Sequence, residues 1–156
     1  RSDTLTNESK TAQTTKTRYA VVVAKWNSFV TDGLLQGALK TLKAQGFDSQ
    51  VFEVPGAFEL PLVCQETAKS EAFEAVIALG AVIRGDTPHF DYVCSGVTHG
   101  ITQASLSTSV PIAFGVLTTD PAEHAVARSR DDANNKGSEA AMAAIDMVEV
   151  LRTIPS

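Results

Sequence analysis

His89 is the residue whose type and setting equip it to move a proton. It stands in Gly80-Ala-Val-Ile-Arg-Gly-Asp-Thr-Pro-His-Phe-Asp-Tyr92, which reads as the end of a buried strand, a polar turn and the start of a helix. Thr87 fits an N-cap, Pro88 the first helical position and Asp91 the first turn. Such a junction aims backbone N–H groups and the positive end of a helix dipole at one point, which suits an anion. An imidazole beside an anion seat has the makings of a general acid–base group. The plainer reading is a solvated or capping histidine, and position alone leaves both open. Gly80, Gly85 and Thr87 also echo a P-loop, but Asp86 stands where its lysine belongs. A nucleoside triphosphate therefore lacks its central cation, while a short seat of backbone N–H groups survives.

Other side chains could complete a site. Trp26, the one tryptophan, falls just past the end of a strand, where it could stack on a planar ring or anchor a core or interface. Glu59 follows Pro-Gly-Ala-Phe at a helix start; its carboxylate could cap that helix or bind ligand hydroxyls. Arg128 and Lys136 bracket a polar link, where charges are normally solvated. His99 lies roughly 15 Å along the helix from His89, too far to share a small site. His99 and His124 read as surface or packing residues. Cys64 and Cys94 lack metal-type spacing and read as free thiols in helices.

The elements that position these residues follow from periodicity. Arg18-Tyr-Ala-Val-Val-Val-Ala24 predicts a buried strand, followed by a turn with Asn27 or Ser28 as N-cap. Leu34, Leu35, Ala38 and Leu42 recur at helical spacing, and Gly46 closes that helix. Gln50 to Val54 is a second strand, and a helix runs from about Ala57 to Lys69. Ala75 to Gly80 is a third strand, and a long helix runs from His89 to about Thr108. Val110 to Leu117 is a fourth strand, with Pro111 suited to a sheet edge. Thr119 to Glu123 has the pattern of a capping box with Pro121 at the first helical position, opening a helix that ends near Arg130. Asp131 to Asn135 is a polar link. Lys136 to Arg152 is a last helix, with Ala141, Ile145, Val148 and Leu151 inward. Alternation of this kind predicts an α/β fold with a parallel four-stranded sheet covered on both faces. Ligands then sit beyond the carboxyl ends of the strands, where the turns after each strand collect.

Composition narrows the function classes. The chain has 156 residues, 44% hydrophobic and 20% charged, with net charge −5. It has no basic stripe for nucleic acid and no apolar run long enough for a membrane helix. Residues 1–17 are polar and predict a flexible tail; residues 18–156 predict one domain. The N-terminus shows no apolar signal region, so the expected location is cytoplasmic, or plastid if a transit segment has been removed.

The strand–turn–helix from Gly80 to Tyr92 resembles the signature of the 6,7-dimethyl-8-ribityllumazine synthase family, which makes the precursor of riboflavin. Ala24-Lys-Trp-Asn27, Val54-Pro-Gly-Ala-Phe-Glu-Leu-Pro61, Pro111-Ile-Ala-Phe-Gly-Val-Leu-Thr118 and Asn135-Lys-Gly-Ser-Glu-Ala-Ala141 resemble further family blocks, in order, across about residues 18 to 152. The resemblance implies a flavodoxin-like three-layer α/β/α sandwich, assembled into pentamers and sometimes into sixty-subunit icosahedral shells. It implies active sites between subunits, small-molecule substrates, and neither metal nor organic cofactor. The implied reaction joins 5-amino-6-(D-ribitylamino)uracil to 3,4-dihydroxy-2-butanone 4-phosphate.

By the same resemblance, Trp26 stacks on the pyrimidine. Asn27, Ala57, Phe58 and Glu59 hold the pyrimidine and ribityl chain, and Ala81, Val82 and Ile83 form a wall along the ring. Gly85, Asp86 and Thr87 face the phosphate, and His89 transfers protons. From a neighbouring subunit, Phe114 lines the pyrimidine pocket, Arg128 binds phosphate and Lys136 lies near the ring. Trp26 stands where Phe is more usual, and the link from Ser129 to Asn134 is more charged than the common version. A non-catalytic flavin- or phosphate-binding module and an inactive shell-forming relative share several of these features.

Overall fold

The computed structural model describes residues 18–85 and 88–156. The expected tail of residues 1–17, the turn residues Asp86 and Thr87, and the expected Thr87 cap lie outside the described residues. The chain runs β1 (Arg18–Ala24), α1 (Ser28–Ala44), β2 (Asp48–Val54), a 3-10 turn (Ala57–Glu59), α2 (Leu60–Lys69), β3 (Ala75–Ile83), α3 (His89–Thr108), β4 (Ile112–Thr119), α4 (Ala122–Ala127) and α5 (Lys136–Arg152). The four strands form one sheet in the order β2-β1-β3-β4, and every pairing is parallel. This is the expected α/β sandwich.

The strand period of two splits the apolar residues between two layers. Tyr19, Val21 and Val23 of β1 and Ile77 and Leu79 of β3 pack with Leu34, Leu42, Ala141 and Ile145 of α1 and α5. Their neighbours Ala20, Val22, Val76 and Ala78 pack with Leu60, Cys64, Val97 and Ile101 of α2 and α3. Because β1 and β3 are central and buried on both faces, they read as unbroken apolar runs. Fully buried side chains such as Leu34, Leu60 and Ile77 each contribute about 1.5–3 kcal/mol relative to exposure.

Several boundaries differ from the sequence expectation, each for a local reason. The fourth strand starts at Ile112 and runs to Thr119. Pro111 has no N–H for the ladder and contributes only its carbonyl, to Val76 N–H at 2.9 Å. It does sit at the start of an edge strand. The helix expected from Ala57 opens as a 3-10 turn and becomes α-helical at Leu60. Pro88 takes the position before α3 rather than its first turn.

The capping box expected at Thr119 to Glu123 does not form. Pro121 precedes α4 with no side-chain cap, and α4 ends at Ala127, not near Arg130. Asp120 is instead drawn to Arg84, whose Nε donates to its carboxylate at 2.7 Å. A charge-assisted bond of that length outcompetes a neutral cap. Thr119 Oγ1 is buried with no partner among the described residues. Leu151, expected inward, is exposed, because α5 is uncovered from residue 149 onward.

The link before α5 is more than a solvated connection. Asn135 is almost fully buried and caps α5, accepting from Ser138 N–H at 3.0 Å. Its amide donates to the carbonyls of Gly33 and Arg130 at 3.1 and 2.8 Å. Gly137 lets α5 meet α1 there: a Cβ at 137 would stand 1.9 Å from the Leu34 carbonyl oxygen.

Candidate active site

The cleft begins where β1 ends. Pairing with the second strand continues past Ala24, as Lys25 N–H donates to Val54 and Trp26 N–H to Pro55, at 2.8 and 2.9 Å. That holds the Trp26 backbone while the residue as a whole stays 66% exposed. The ring lies on Gly56, where an added Cβ would sit 2.4 Å from Trp26 Cε3. Gly56 is extended, so its glycine is needed for this close approach and not for an unusual backbone angle.

Asn27 follows with φ 66°, in the left-handed region that asparagine tolerates. It does not cap α1 with its side chain as expected. The amide reaches across to β3 and donates to the Ala81 carbonyl at 2.9 Å. This bond ties the turn after β1 to the end of β3. Glu59 turns back on its own chain, accepting from Gly56 N–H at 2.9 Å through Oε1. The capping reading of Glu59 is therefore present in the structure, and it engages one carboxylate oxygen.

These residues surround one cleft of about 460 Å³, a volume within the range of small-molecule sites. Trp26, Asn27, Ala57, Phe58 and Glu59 line one side, and Ala81, Val82, Ile83 and His89 the other. Tyr92 and Val93 complete the lining. Neither was singled out as a site residue from sequence, although helical spacing signals them: they stand three and four positions after His89 and share its face of α3. Gly85 is exposed and is not among the residues that line this cleft, and Asp86 and Thr87 lie outside the described residues.

Phe114, Arg128 and Lys136 do not line this cleft. Phe114 is 40% exposed on edge strand β4. Arg128 follows α4, and its guanidinium donates to the His124 carbonyl at 3.2 Å. Lys136 opens α5 and pairs with Glu139 at 2.8 Å. Arg128 and Lys136 share a groove of about 420 Å³ with Thr118, Thr119 and Asp120. They also edge a larger hollow of about 1040 Å³ that includes Asp132, Asp146 and Met142. One chain thus presents two separate groups of the expected site residues.

Arg84 was not assigned a role from sequence. It bridges Asp120 and Asp91, at 2.7 and 3.3 Å. The hydrogen bond it donates to Asp120 is the largest cause that raises its pKa, so the charge is permanent. Cys64 is free and buried in α2, where desolvation pushes its thiol up to about 12; Cys94 is free and half-buried in α3, its thiol also raised by burial. Among the described residues, no group of His, Cys, Asp and Glu is arranged to hold a metal ion. No helix among them is long and apolar enough to cross a membrane.

The 6,7-dimethyl-8-ribityllumazine synthase family model matches residues 16–152 of this chain. The 6,7-dimethyl-8-ribityllumazine synthase of Syntrophus aciditrophicus (strain SB) is 56% identical over 140 residues, covering 88% of this chain and 91% of that protein. The parallel sandwich agrees with that likeness, and the chain belongs to the 6,7-dimethyl-8-ribityllumazine synthase family of riboflavin-biosynthesis enzymes.

Proposed function

We propose that the protein condenses 5-amino-6-(D-ribitylamino)uracil with 3,4-dihydroxy-2-butanone 4-phosphate to give 6,7-dimethyl-8-ribityllumazine, releasing phosphate and water. The observation that carries this reading is the single cleft that unites Trp26, Asn27, Phe58, Glu59, the β3 wall and His89. Membership of a riboflavin-biosynthesis family supports this choice of substrates. The exposed Trp26 ring stacks on the pyrimidine, with Ala57 and Phe58 beside it. Ala81, Val82 and Ile83 flank the heterocycle. The Glu59 oxygen outside the Gly56 bond accepts from ribityl hydroxyls.

In the first step the amine of the pyrimidine attacks the ketone carbon, and the resulting carbinolamine loses water to form an imine. A C–H proton beside the imine is then removed, and the C–O bond to phosphate breaks with its electron pair going to the leaving phosphate. The elimination leaves an enol at the carbon that carried the free hydroxyl; it takes a proton and becomes a new carbonyl. Attack of the ribityl-bearing amine on that carbonyl, with loss of a second water, closes the ring. His89 is the group that moves protons in these steps. The resemblance assigns Gly85, Asp86 and Thr87 to the phosphate side. Orientation of two substrates in one cleft removes several kcal/mol of entropic cost, of order 10 at most.

Phe114, Arg128 and Lys136 act in this reading from an adjacent subunit. Two features support that placement: none of them lines the chain's own cleft, and Phe114 is exposed on a sheet edge. The assembly is a homo-oligomer, a pentamer or a shell of pentamers. Arg128 then binds the substrate phosphate and stabilises it as it leaves. Incubation with both substrates and measurement of lumazine fluorescence tests the reaction. Absence of product at saturating substrate overturns it and leaves a binding module or a structural shell protein.

A further inference from the structure

The side chain of Arg84 joins stretches of chain that lie far apart in sequence. Its Nε donates to Asp120 Oδ1 at 2.7 Å, in the loop between β4 and α4. A terminal nitrogen donates to Asp91 Oδ1 at 3.3 Å, in the first turn of α3. The guanidinium carbon lies 4.4 Å from the centroid of the Phe90 ring, which is buried. The Arg84 N–H is also held, donating to the Thr119 carbonyl at 3.0 Å where β3 and β4 end together. Arg84 therefore ties the end of β3 to the residues directly after His89.

We propose that Arg84 is a positioning residue: it locks the first turn of α3, and with it His89, to the β4–α4 loop, without itself touching substrate. The inference rests on the reading of His89 as the proton-transfer residue. The fixed fork of a guanidinium can grip two carboxylates from different elements while its plane covers an aromatic ring. A lysine ammonium can do one of these at a time. Phe90 and Asp91 flank the backbone of His89 on its C-terminal side, so holding both fixes where the imidazole starts from. The contacts of Arg84 lie at an exposed side chain, and exposed ion pairs add little to stability. Their effect is therefore expected in rate and in local order, not in global stability.

The test compares wild type with Arg84→Gln and Arg84→Lys in the full-length assembled protein, by steady-state kinetics and by amide hydrogen exchange over residues 89–92. Displacement of an acid–base group by about 1 Å costs on the order of 100-fold in rate, so Arg84→Gln should lower kcat by about 10- to 100-fold. Both KM values should stay within about threefold, since the interaction lost serves the transition state. Arg84→Lys should recover little of the loss, and amides 89–92 should exchange faster in both variants. Asp91→Asn should lower kcat in the same direction, and adding it to Arg84→Gln should cost little more, because the two share one contact. A kcat within about twofold of wild type in Arg84→Gln overturns the inference. So does a loss confined to KM for the phosphorylated substrate, which would make Arg84 a phosphate ligand. Full rescue by Arg84→Lys or unchanged exchange also overturns it. If wild type forms no lumazine, the proposed reaction fails instead, and exchange alone decides whether Arg84 orders the turn.

Discussion

The cleft around Trp26 and the surface around Arg128 are built from opposite materials. In the cleft, most of the walls are apolar, and two of the polar side chains are tied to backbone: Asn27 to Ala81 and Glu59 to Gly56. Around Arg128 and Lys136 the groove is polar, and Lys136 pairs with Glu139 of its own helix. In the proposed reaction the first region orients the flat ring. The second has charges suited to an anion but no enclosed place for one. The contrast is what a site divided between subunits would leave in a single chain: an organised ring pocket on one face and an anion-binding half-site on another.

The largest effects should come from removing one residue of each region. His89→Ala is expected to lower kcat by about 10²- to 10⁴-fold, the usual contribution of a general acid–base group. Arg128→Ala should lower kcat/KM for the phosphorylated substrate by about 10- to 100-fold, the value of a charge-assisted hydrogen bond. Co-expression of the two inactive variants decides between one region and two. If adjacent subunits share each site, random mixing rebuilds about a quarter of the sites with both residues intact. Assembled mixtures with no recovered activity would place His89 and Arg128 in the same chain's site and break the comparison.

A smaller effect should be confined to the cleft. Gly56→Ala puts a methyl group where the Trp26 ring now lies, 2.4 Å from Cε3. The ring must shift, and overpacking of this kind costs about 1–3 kcal/mol. KM for the pyrimidine substrate should rise by about 10-fold, with KM for the phosphorylated substrate little changed. Equal changes in both would mean that Trp26 does not face the pyrimidine.

The counterpart in the second region is Asn135→Ala. It removes the cap of α5, leaving Ser138 N–H without its acceptor, and cuts the amide bonds that tie Gly33 of α1 and Arg130 to the start of α5. Loss of a cap costs about 0.5–2 kcal/mol, so thermal unfolding should begin several degrees lower. The cleft should keep its affinity for the pyrimidine, measurable by tryptophan quenching. A matching loss of affinity there would show that the two regions are coupled within one subunit.

The sheet and its helices were legible because β1 and β3 are buried on both faces and carry unbroken apolar runs, and because α1, α3 and α5 carry helical spacing. The cleft residues were legible through family blocks that surround strand ends. What the sequence hid was the competition for polar partners. Thr119 to Glu123 has the residues of a capping box, but Asp120 belongs to Arg84, a partner distant in sequence. Asn135 reads as one polar residue among several in a link, yet its amide holds the crossing of α1 and α5. Glu59 could cap or bind, and only the bond to Gly56 shows that capping occurs. Leu151 keeps the period of its helix after the surface it would cover has ended. In each case the local pattern was sound, and a contact or an edge remote in sequence decided the outcome.

The smallest expected effect concerns the layer beneath the cleft. Cys64 lies in that layer with Ala57 and Leu60, and desolvation pushes its thiol from 9.0 to about 12. A raised pKa means that the folded state keeps the proton longer than the unfolded chain does. The stabilisation is therefore fully present below about pH 9 and lost as pH rises towards 12. Between pH 8 and 10 wild type should lose about 1 kcal/mol more stability than Cys64→Ala, read as a steeper fall in the urea midpoint. The truncation itself lowers stability at every pH, so the slopes, not the midpoints, carry the comparison. Tyr19, pushed up to about 12 mainly by burial, adds a fall of the same sign above pH 10 that both proteins share. Parallel slopes would mean that water reaches the Cys64 thiol, and that the cleft rests on a looser layer than its apolar packing implies.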